Sequence, residues 1–400
     1  MLTLEQAQAE IVAGIRKAQD TETVYLDQAH GRYLGAGTAA VVANPAFDNS
    51  AMDGYAVNTV DLVREDFHLP LAGESRAGDP PPALKPGTTM RIFTGAPVPT
   101  GADAVVIQED VRIEGDRIHL PRTVQPGQNI RHASEDFAAG SPLFPVGKRL
   151  NARDLALLSA AGVARPEVFQ PARALVFATG DELVAPGTPL KPGQIYESNR
   201  MATILQLQAL GCEVDDGGTV EDRPEAVRER LQSAADYDFI VSSGGVSVGD
   251  HDLVKEVFAE IGEIHFWKVR VKPGKPLAHG HLGERAHFFG LPGNPVSSLV
   301  TFELFVRPAV LAWYHAPYHR LVLQAIADND VRHAPGRTEF LRARLHVQDG
   351  VLHATALPGQ GSHMLGTLRD TNGLMRVEHD SSGHAAGARV AVLPLTLDIE

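Results

Sequence analysis

Three short loops rich in glycine carry the residues of this 400-residue chain best suited to holding an anion: Thr179-Gly180-Asp181-Glu182, Gly244-Gly245-Val246-Ser247-Val248-Gly249-Asp250 and Pro292-Gly293-Asn294-Pro295. Glycine lets backbone N–H groups approach an oxyanion closely, and a helix starting just beyond adds the positive end of its dipole. Taken singly, each loop reads as a tight turn. Yet each follows an apolar run of strand type, at 172–178, 239–243 and 287–291. All three are therefore expected on one edge of a sheet, where wound α/β sheets bind their ligands.

A cationic stretch adjoins them. Residues 264–283 hold Lys268, Arg270, Lys272 and Lys275 and no acid, in a chain of net charge −13. A strand here would put Lys268, Arg270 and Lys272 on one face, with Lys275 just past the Pro273-Gly274 turn. A solvated strand face is the plainer reading; the lack of acids beside an anion-binding edge favours neutralisation of a phosphate or oxyanion. Asp181, Glu182, Asp222, Asp250 and Asp252 also fall at strand ends, where hard oxygen ligands suit Mg²⁺ shared with substrate phosphates. Asp181 or Asp250 serves equally well as a helix cap, and spacing does not choose among the five.

Other patterns pull elsewhere. Gly245-Val246-Ser247-Val248-Gly249 fits the G-x-S-x-G nucleophile elbow of a serine hydrolase, but Ser247 sits inside a longer glycine loop and no Asp-then-His pair follows late in the chain. His279-Gly280-His281 reads as a surface turn, and the seventeen histidines form no H-E-x-x-H zinc motif.

The elements that must position these residues follow from periodicity. Residues 3–18 read as an amphipathic helix, with Thr3 and Gln6 as its capping box and Leu4, Ala7, Ile11, Ile15 and Ala18 on one face. Short strands with Gly/Pro turns fill 41–145, including a hairpin at Glu114-Gly115-Asp116 and the stiff loop Asp79-Pro80-Pro81-Pro82. Asn151 caps a helix that Gly162 ends. From 172 to about 315 strands and helices alternate, as in a mostly parallel sheet covered on both faces. Strands and turns return over 319–400, with Gln348-Asp349-Gly350 between two of them, as in a small β-barrel. The 38 glycines and 27 prolines suit many tight turns. With 36 basic against 49 acidic side chains, the balance argues against a nucleic-acid or anionic-membrane surface. The one cysteine, Cys212, excludes an internal disulfide framework. No signal peptide is read at the N-terminus, and no run of 18 apolar residues occurs, so a soluble cytoplasmic protein is expected.

In this order SAMDGYAV (50–57), TGAPVP (94–99), ATGDEL (178–183), SNR (198–200), SSGGVSVGD (242–250), KPGKP (272–276), LPGNPVS (291–297) and QGSH (360–363) resemble the molybdopterin molybdenumtransferase family, related to the E domain of gephyrin. The likeness runs from about residue 3 to 395. It implies a multidomain α/β fold in four parts: a discontinuous elongated domain (1–42 and 140–171), a β-rich insertion (43–139), a three-layer α/β molybdopterin-binding domain (172–318) and a C-terminal β-barrel (319–400). It implies a homodimer whose cleft lies between the α/β domain of one subunit and the insertion of the other. The implied reaction inserts molybdenum from molybdate into adenylylated molybdopterin and releases AMP, with Mg²⁺ present and a molybdopterin adenylyltransferase upstream. The family's functional positions fall on Asp53, Thr94, Arg131, Glu182, Asp222, Asp252, Lys268, Lys272, Lys275 and Ser362, with Glu182, Asp222 and Asp252 as the candidate Mg²⁺ ligands. Substrate binding falls to Thr179, Gly180, Ser198, Asn199, Gly244, Gly245, Ser247, Gly249, Asp250, Arg270, Pro292, Gly293, Asn294 and Pro295. Two positions depart from the pattern: His132 follows Arg131 where relatives often carry further arginines, and His251 precedes Asp252. A non-catalytic pterin-binding scaffold would keep the loops without needing Asp53 or the carboxylates, and an adenylyltransferase would need neither residues 1–170 nor the barrel.

Overall fold

A computed structural model describes residues 2–244, 253–274, 276–318 and 320–396. The chain forms two compact units, Thr23–Val168 and the combination of Met1–Glu22 with Phe169–Glu400.

In Thr23–Val168 a six-stranded sheet has the order Ala104–Ile107, Gly54–Val57, Thr89–Ile92, His68–Ser75, Arg117–His119, Arg112–Glu114. Tyr55, Val57, Leu69, Val106 and Ile118 fill one of its faces with Leu62 of the short helix Thr59–Arg64. The strands Arg112–Glu114 and Arg117–His119 pair antiparallel across Gly115, whose φ of 63° makes the expected hairpin turn. Gly54 is required by packing: a Cβ there would stand 2.0 Å from the Val106 carbonyl oxygen. The helix Ala152–Ala160 starts at Asn151, whose side chain accepts from the N–H groups of Arg153 and Asp154 while Asp154 caps in return.

The second unit holds the wound sheet. Its strand order is Glu213–Val220, Arg173–Thr179, Phe239–Ser243, Ala286–Leu291, Pro276–Leu282, Glu263–Lys268. The first four are parallel and the last two antiparallel. The antiparallel edge pair was not read in the sequence, where the strand was expected over Lys268–Lys272 rather than at Glu263–Lys268 and Pro276–Leu282. The chain winds outward from Arg173–Thr179 first to one side and then to the other, so the switch point lies between Arg173–Thr179 and Phe239–Ser243. Helices Pro224–Gln232 and Leu253–Ile261 bury Val227, Leu231, Val254 and Phe258 against Phe177, Ile240 and Phe288. Toward the C-terminus five strands make a barrel in which Thr338–Gln348, Val351–Ala356, Leu323–Ala327, Arg389–Pro394 and Gly373–Val377 follow one another and the last pairs back to the first.

The N-terminal helix is shorter than its sequence pattern. It runs Leu4–Gly14 from the Thr3/Gln6 capping box and buries Leu4, Ala7 and Ile11, but stops before Ile15 and Ala18. Tertiary partners take over the N–H groups there: Arg16 N–H donates to His287 Nε2 (3.0 Å) and Ala18 N–H to the Trp313 carbonyl (2.8 Å). Contacts of this kind place residues 1–22 with the 169–400 body, so the segment expected to run over 1–42 divides at residue 22.

The helix Pro295–Trp313 is long and apolar, and 83% of it is buried inside the protein as a core helix. It widens to a π-turn at Phe302–Val306 because Pro308, having no N–H, cannot bond the Leu304 carbonyl. Gln8 Nε2 fills that vacancy, donating to Leu304 O at 2.7 Å. The same turn buries Glu303, which accepts from Arg307 (2.8 and 2.9 Å) and is paired with Arg320. Glu303→Gln should lower stability by about 3 kcal/mol, since both guanidinium groups lose their counter-charge. Chemical denaturation would read this loss, and an unchanged midpoint would show that the pair is dispensable.

Candidate functional site

The parallel strands end side by side, and their loops share one rim. Register aligns Thr179 with Val220, Ala178 with Ser243, and Ser243 with Leu291. Gly244 N–H donates to the Leu291 carbonyl (3.1 Å), joining two of the loops. Asn199 Nδ2 donates to Ser243 Oγ (3.0 Å) and to the Gly293 carbonyl (2.8 Å). This candidate binder therefore spends its amide on holding the rim together. Ser198 stands exposed before it, at the start of helix Asn199–Ala209, with no capping bond of its own.

Two glycines are fixed by the geometry. Gly244 has φ +85°, and a Cβ there would lie 2.7 Å from the Thr179 carbonyl oxygen. At Gly180, φ is +148° and a Cβ would meet the Glu182 carboxylate at 2.6 Å. Glu182 thus folds back over the start of its loop. Asp222 N–H donates to Asp181 Oδ1 at 3.1 Å. Partial burial, and then the charges of Asp181 and Glu182, push the Asp222 pKa above the ordinary aspartate value. Asp181, one of the five strand-end carboxylates but not one of the three candidate Mg²⁺ ligands, belongs to this trio, its carboxylate accepting from the Asp222 N–H.

The opposite end of the same rim is cationic. Lys268 pairs with Pro276, and the strand Pro276–Leu282 runs antiparallel to Ala286–Leu291, so 268, 272–274 and 292–295 all arrive at this edge. The Pro273-Gly274 turn rests on helix Pro295–Thr301: a Cβ on Gly274, at φ +102°, would meet Thr301 Oγ1 at 2.5 Å. The single charged strand face does not form. The extended run breaks after Lys268; Val269 bridges to Leu2, and Val271–Lys272 pairs instead with Thr338–Gln348 of the barrel. Val269 and Val271 are buried while Arg270 and Lys272 face outward, and Lys272 Nζ sits 2.7 Å from Glu339 Oε1, so its charge is already paired. The helix Pro295–Thr301 points its N-terminus at the rim, with Pro295 in its first turn and Asn294 making no capping bond. Ser362 is here too, its carbonyl accepting from Val296 N–H at 3.1 Å. A residue missed in the sequence holds that loop: Arg342, fully buried, donates from Nη2 to the carbonyls of Gly359 (2.6 Å) and Gly361 (3.2 Å). Gln360 clasps the Arg342 backbone with both ends of its amide. An arginine within the apolar run Phe340-Leu341-Arg342-Ala343, on the face opposite Leu341 and Ala343, was the available signal.

Gly245, Ser247, Gly249, Asp250, Asp252 and Lys275 lie outside the described residues.

Within Thr23–Val168 the other three candidates also converge. Asp53 Oδ1 accepts from both the N–H and the hydroxyl of Thr94, each at 2.7 Å, and the backbone bond lowers the Asp53 pKa. Gly95 N–H donates to the Ser50 carbonyl, Ala51 N–H to the Asn129 carbonyl, and Arg131 pairs with Asn49. Arg131 lines an open cavity of about 520 Å³ with Asn44, Asn49, Glu135 and Asp136. His132 is turned to Asp48, its Nδ1 3.3 Å from Oδ2.

His279-Gly280-His281 is no surface turn. It lies inside strand Pro276–Leu282, with His279 buried, His281 opposite His287 and His265 opposite His279. Burial pushes His279 down to about 3 and His287 to about 4. Both values lie below the 6.5 of a free imidazole, so the unfolded chain takes up these protons first on acidification. Stability should be full above pH 6.5 and decline steadily below it. Urea midpoints at pH 7.5 and 5.5 check this, and equal midpoints would contradict it.

The fold is that of a multidomain α/β protein whose strand-end loops gather on one rim at the carboxyl ends of a wound sheet. Three family descriptions match in order: "MoeA N-terminal region (domain I and II)" over residues 2–162, "Probable molybdopterin binding domain" over 175–312, and "MoeA C-terminal region (domain IV)" over 324–395. The chain belongs to the MoeA family. It is 38% identical to a Haemophilus influenzae protein named molybdopterin molybdenumtransferase, over 98% of each chain. It is 37% identical to molybdopterin molybdenumtransferase 2 of Mycobacterium tuberculosis, over 98% of this chain and 99% of that one. The crystal structure of a molybdopterin biosynthesis MoeA protein from Pyrococcus horikosii superposes with a TM-score of 0.84 at 30% identity, covering 99% of both chains.

Proposed function

We propose that this protein transfers molybdenum from molybdate to adenylylated molybdopterin and releases AMP, in molybdenum cofactor biosynthesis. The observation that carries the reading is the polarity of the rim. Carboxylates (Asp181, Glu182, Asp222) stand at the ends of two strands, while the helix N-terminus at Pro295 and the basic stretch that carries the exposed Arg270 stand across the sheet. At about 4.8 Å per strand the basic stretch is roughly 20 Å from the carboxylates and the Pro295 helix start about 10–14 Å from them. That separation keeps them from neutralising each other and suits a long ligand with a metal-bound phosphoanhydride at one end and an oxyanion at the other.

The donor set fits Mg²⁺: hard oxygens open to solvent, with Asp222 raised by partial burial and then by the charges of Asp181 and Glu182, a repulsion that a cation relieves. Glu182 and Asp222, with Asp252, would hold it, and bound Mg²⁺ would polarise the phosphoanhydride. Gly244 lets its loop lie against the Thr179 carbonyl at the rim, and the Pro295 helix dipole favours negative charge there. Arg342 keeps Ser362 in place. We further propose a cytoplasmic homodimer, supplied by a molybdopterin adenylyltransferase, in which Asp53, Thr94 and Arg131 of one copy face the rim of the partner copy. The clustering of these three within Thr23–Val168 supports that arrangement.

Adenylylated molybdopterin should raise the melting temperature by binding the native state alone; at a hundredfold excess over Kd the gain is about 2.7 kcal/mol. No shift at saturation would refute the reading. Asp53→Ala frees the Thr94 N–H and hydroxyl, and should cut molybdenum insertion while leaving the melting temperature within about 2 °C, since the carboxylate is exposed.

A further inference from the structure

The barrel carries a second cluster of side chains suited to a metal, away from the rim chemistry. His346 and His353 stand directly opposite each other on the antiparallel strands Thr338–Gln348 and Val351–Ala356. Asp328 follows strand Leu323–Ala327, which lies on the other side of Val351–Ala356, and its N–H donates to the Ala354 carbonyl (3.0 Å). Three adjacent strands therefore deliver two imidazoles and one carboxylate to one spot. One donor atom from each lies within 4.8 Å of the other two. Asp328 Oδ1 is 2.8 Å from His353 Nδ1, and Oδ2 is 3.8 Å from His346 Nε2. Around a zinc-class ion with bonds of about 2.0–2.2 Å, tetrahedral neighbours stand roughly 3.3–3.5 Å apart, so each donor needs to move by less than about 1 Å.

The chemistry of the donors agrees. The Asp328 carboxylate offers two oxygens, of which Oδ1 faces His353. Thr355 Oγ1 donates to Oδ2 and fixes the carboxylate's orientation, as outer-shell groups do at metal sites. All three side chains are between a fifth and a third exposed, so an ion can enter from solvent. The other histidine trio, His279, His281 and His287, is less open: His279 and His287 are buried, and His287 Nε2 already accepts from the Arg16 N–H, which leaves the proton on Nδ1.

We propose that Asp328, His346 and His353 bind one zinc-class divalent cation (Zn²⁺, Co²⁺ or Ni²⁺) on the outside of the barrel. Three protein ligands leave a coordination position open to water or an exogenous donor. Two imidazoles favour these ions over Mg²⁺ and Ca²⁺. By tying three strands together, the ion stabilises the barrel independently of molybdenum transfer.

Metal-free full-length protein titrated with cobalt(II) chloride tests this directly. The expected result is one equivalent bound, with ligand-field absorption of a four- or five-coordinate ion, displaced by zinc chloride and unaffected by magnesium chloride. Zinc should also raise the melting temperature by about 3 °C or more. His346→Gln and His353→Gln should each weaken cobalt binding at least about tenfold while melting like the parent without metal. Should either variant melt differently, Asp328→Asn gives the same reading of affinity. A purely six-coordinate aqua-type spectrum, unchanged binding in these variants, or binding lost in His281→Asn instead would overturn the assignment.

Discussion

Asp222→Asn is expected to leave a protein that folds at least as well as the parent and inserts molybdenum about a hundredfold more slowly. The two effects have one origin. Folding raises the Asp222 pKa above its unfolded value through burial and the neighbouring charges of Asp181 and Glu182. A carboxylate shifted this way disfavours the folded state once ionised: the penalty is absent below the unfolded pKa and complete above the folded one. A neutral asparagine removes that penalty at neutral pH and keeps the N–H that donates to Asp181. The insertion rate suffers because the proposed Mg²⁺ loses one of its ligands, and charge stabilisation of this kind supplies several kcal/mol in a transition state. Stability gained as activity falls marks a residue placed for function. Insertion kinetics and thermal melts on one preparation check both halves, and a destabilised variant with parental turnover would reverse the interpretation.

Gly244→Ala should cost about 3 kcal/mol, through left-handed backbone strain and overlap with the Thr179 carbonyl oxygen, and should spoil the rim where two loops are joined. Gly187→Ala supplies the comparison. Gly187 has φ +90° and open space around it, so the strain acts alone at about 1–2 kcal/mol. Equal losses at the two positions would show that the Thr179 contact is slack.

Much of the rim was legible because glycine and proline punctuate strand ends. The runs before Gly180, Gly244 and Pro292 could be read as strands, and the parallel register then put their loops side by side. What escaped was set by partners distant in sequence. Lys272 looked like a free cation, but Glu339, from a barrel strand, neutralises it. The Lys268–Lys272 alternation looked like one strand, but its hydrogen bonds pass from one sheet to another between these residues. His279 looked exposed because glycine follows it, but that glycine serves close packing: a Cβ on Gly280 would stand 2.2 Å from the Glu263 carbonyl oxygen. The N-terminal helix lost its last turn to Trp313 and His287, partners that no local pattern reveals. Asn199 belonged to the right edge, but its hydrogen bonds show a structural duty there.

The central claim is that one rim couples cleavage of a phosphoanhydride to capture of an oxyanion's metal. Purified protein incubated with adenylylated molybdopterin, Mg²⁺ and molybdate tests it, with AMP followed by chromatography and pterin-bound molybdenum by elemental analysis. The account predicts AMP and bound molybdenum appearing in equal amounts, both dependent on molybdate and both lost in Asp222→Asn. AMP released at the same rate without molybdate, or with no molybdenum reaching the pterin, would contradict it.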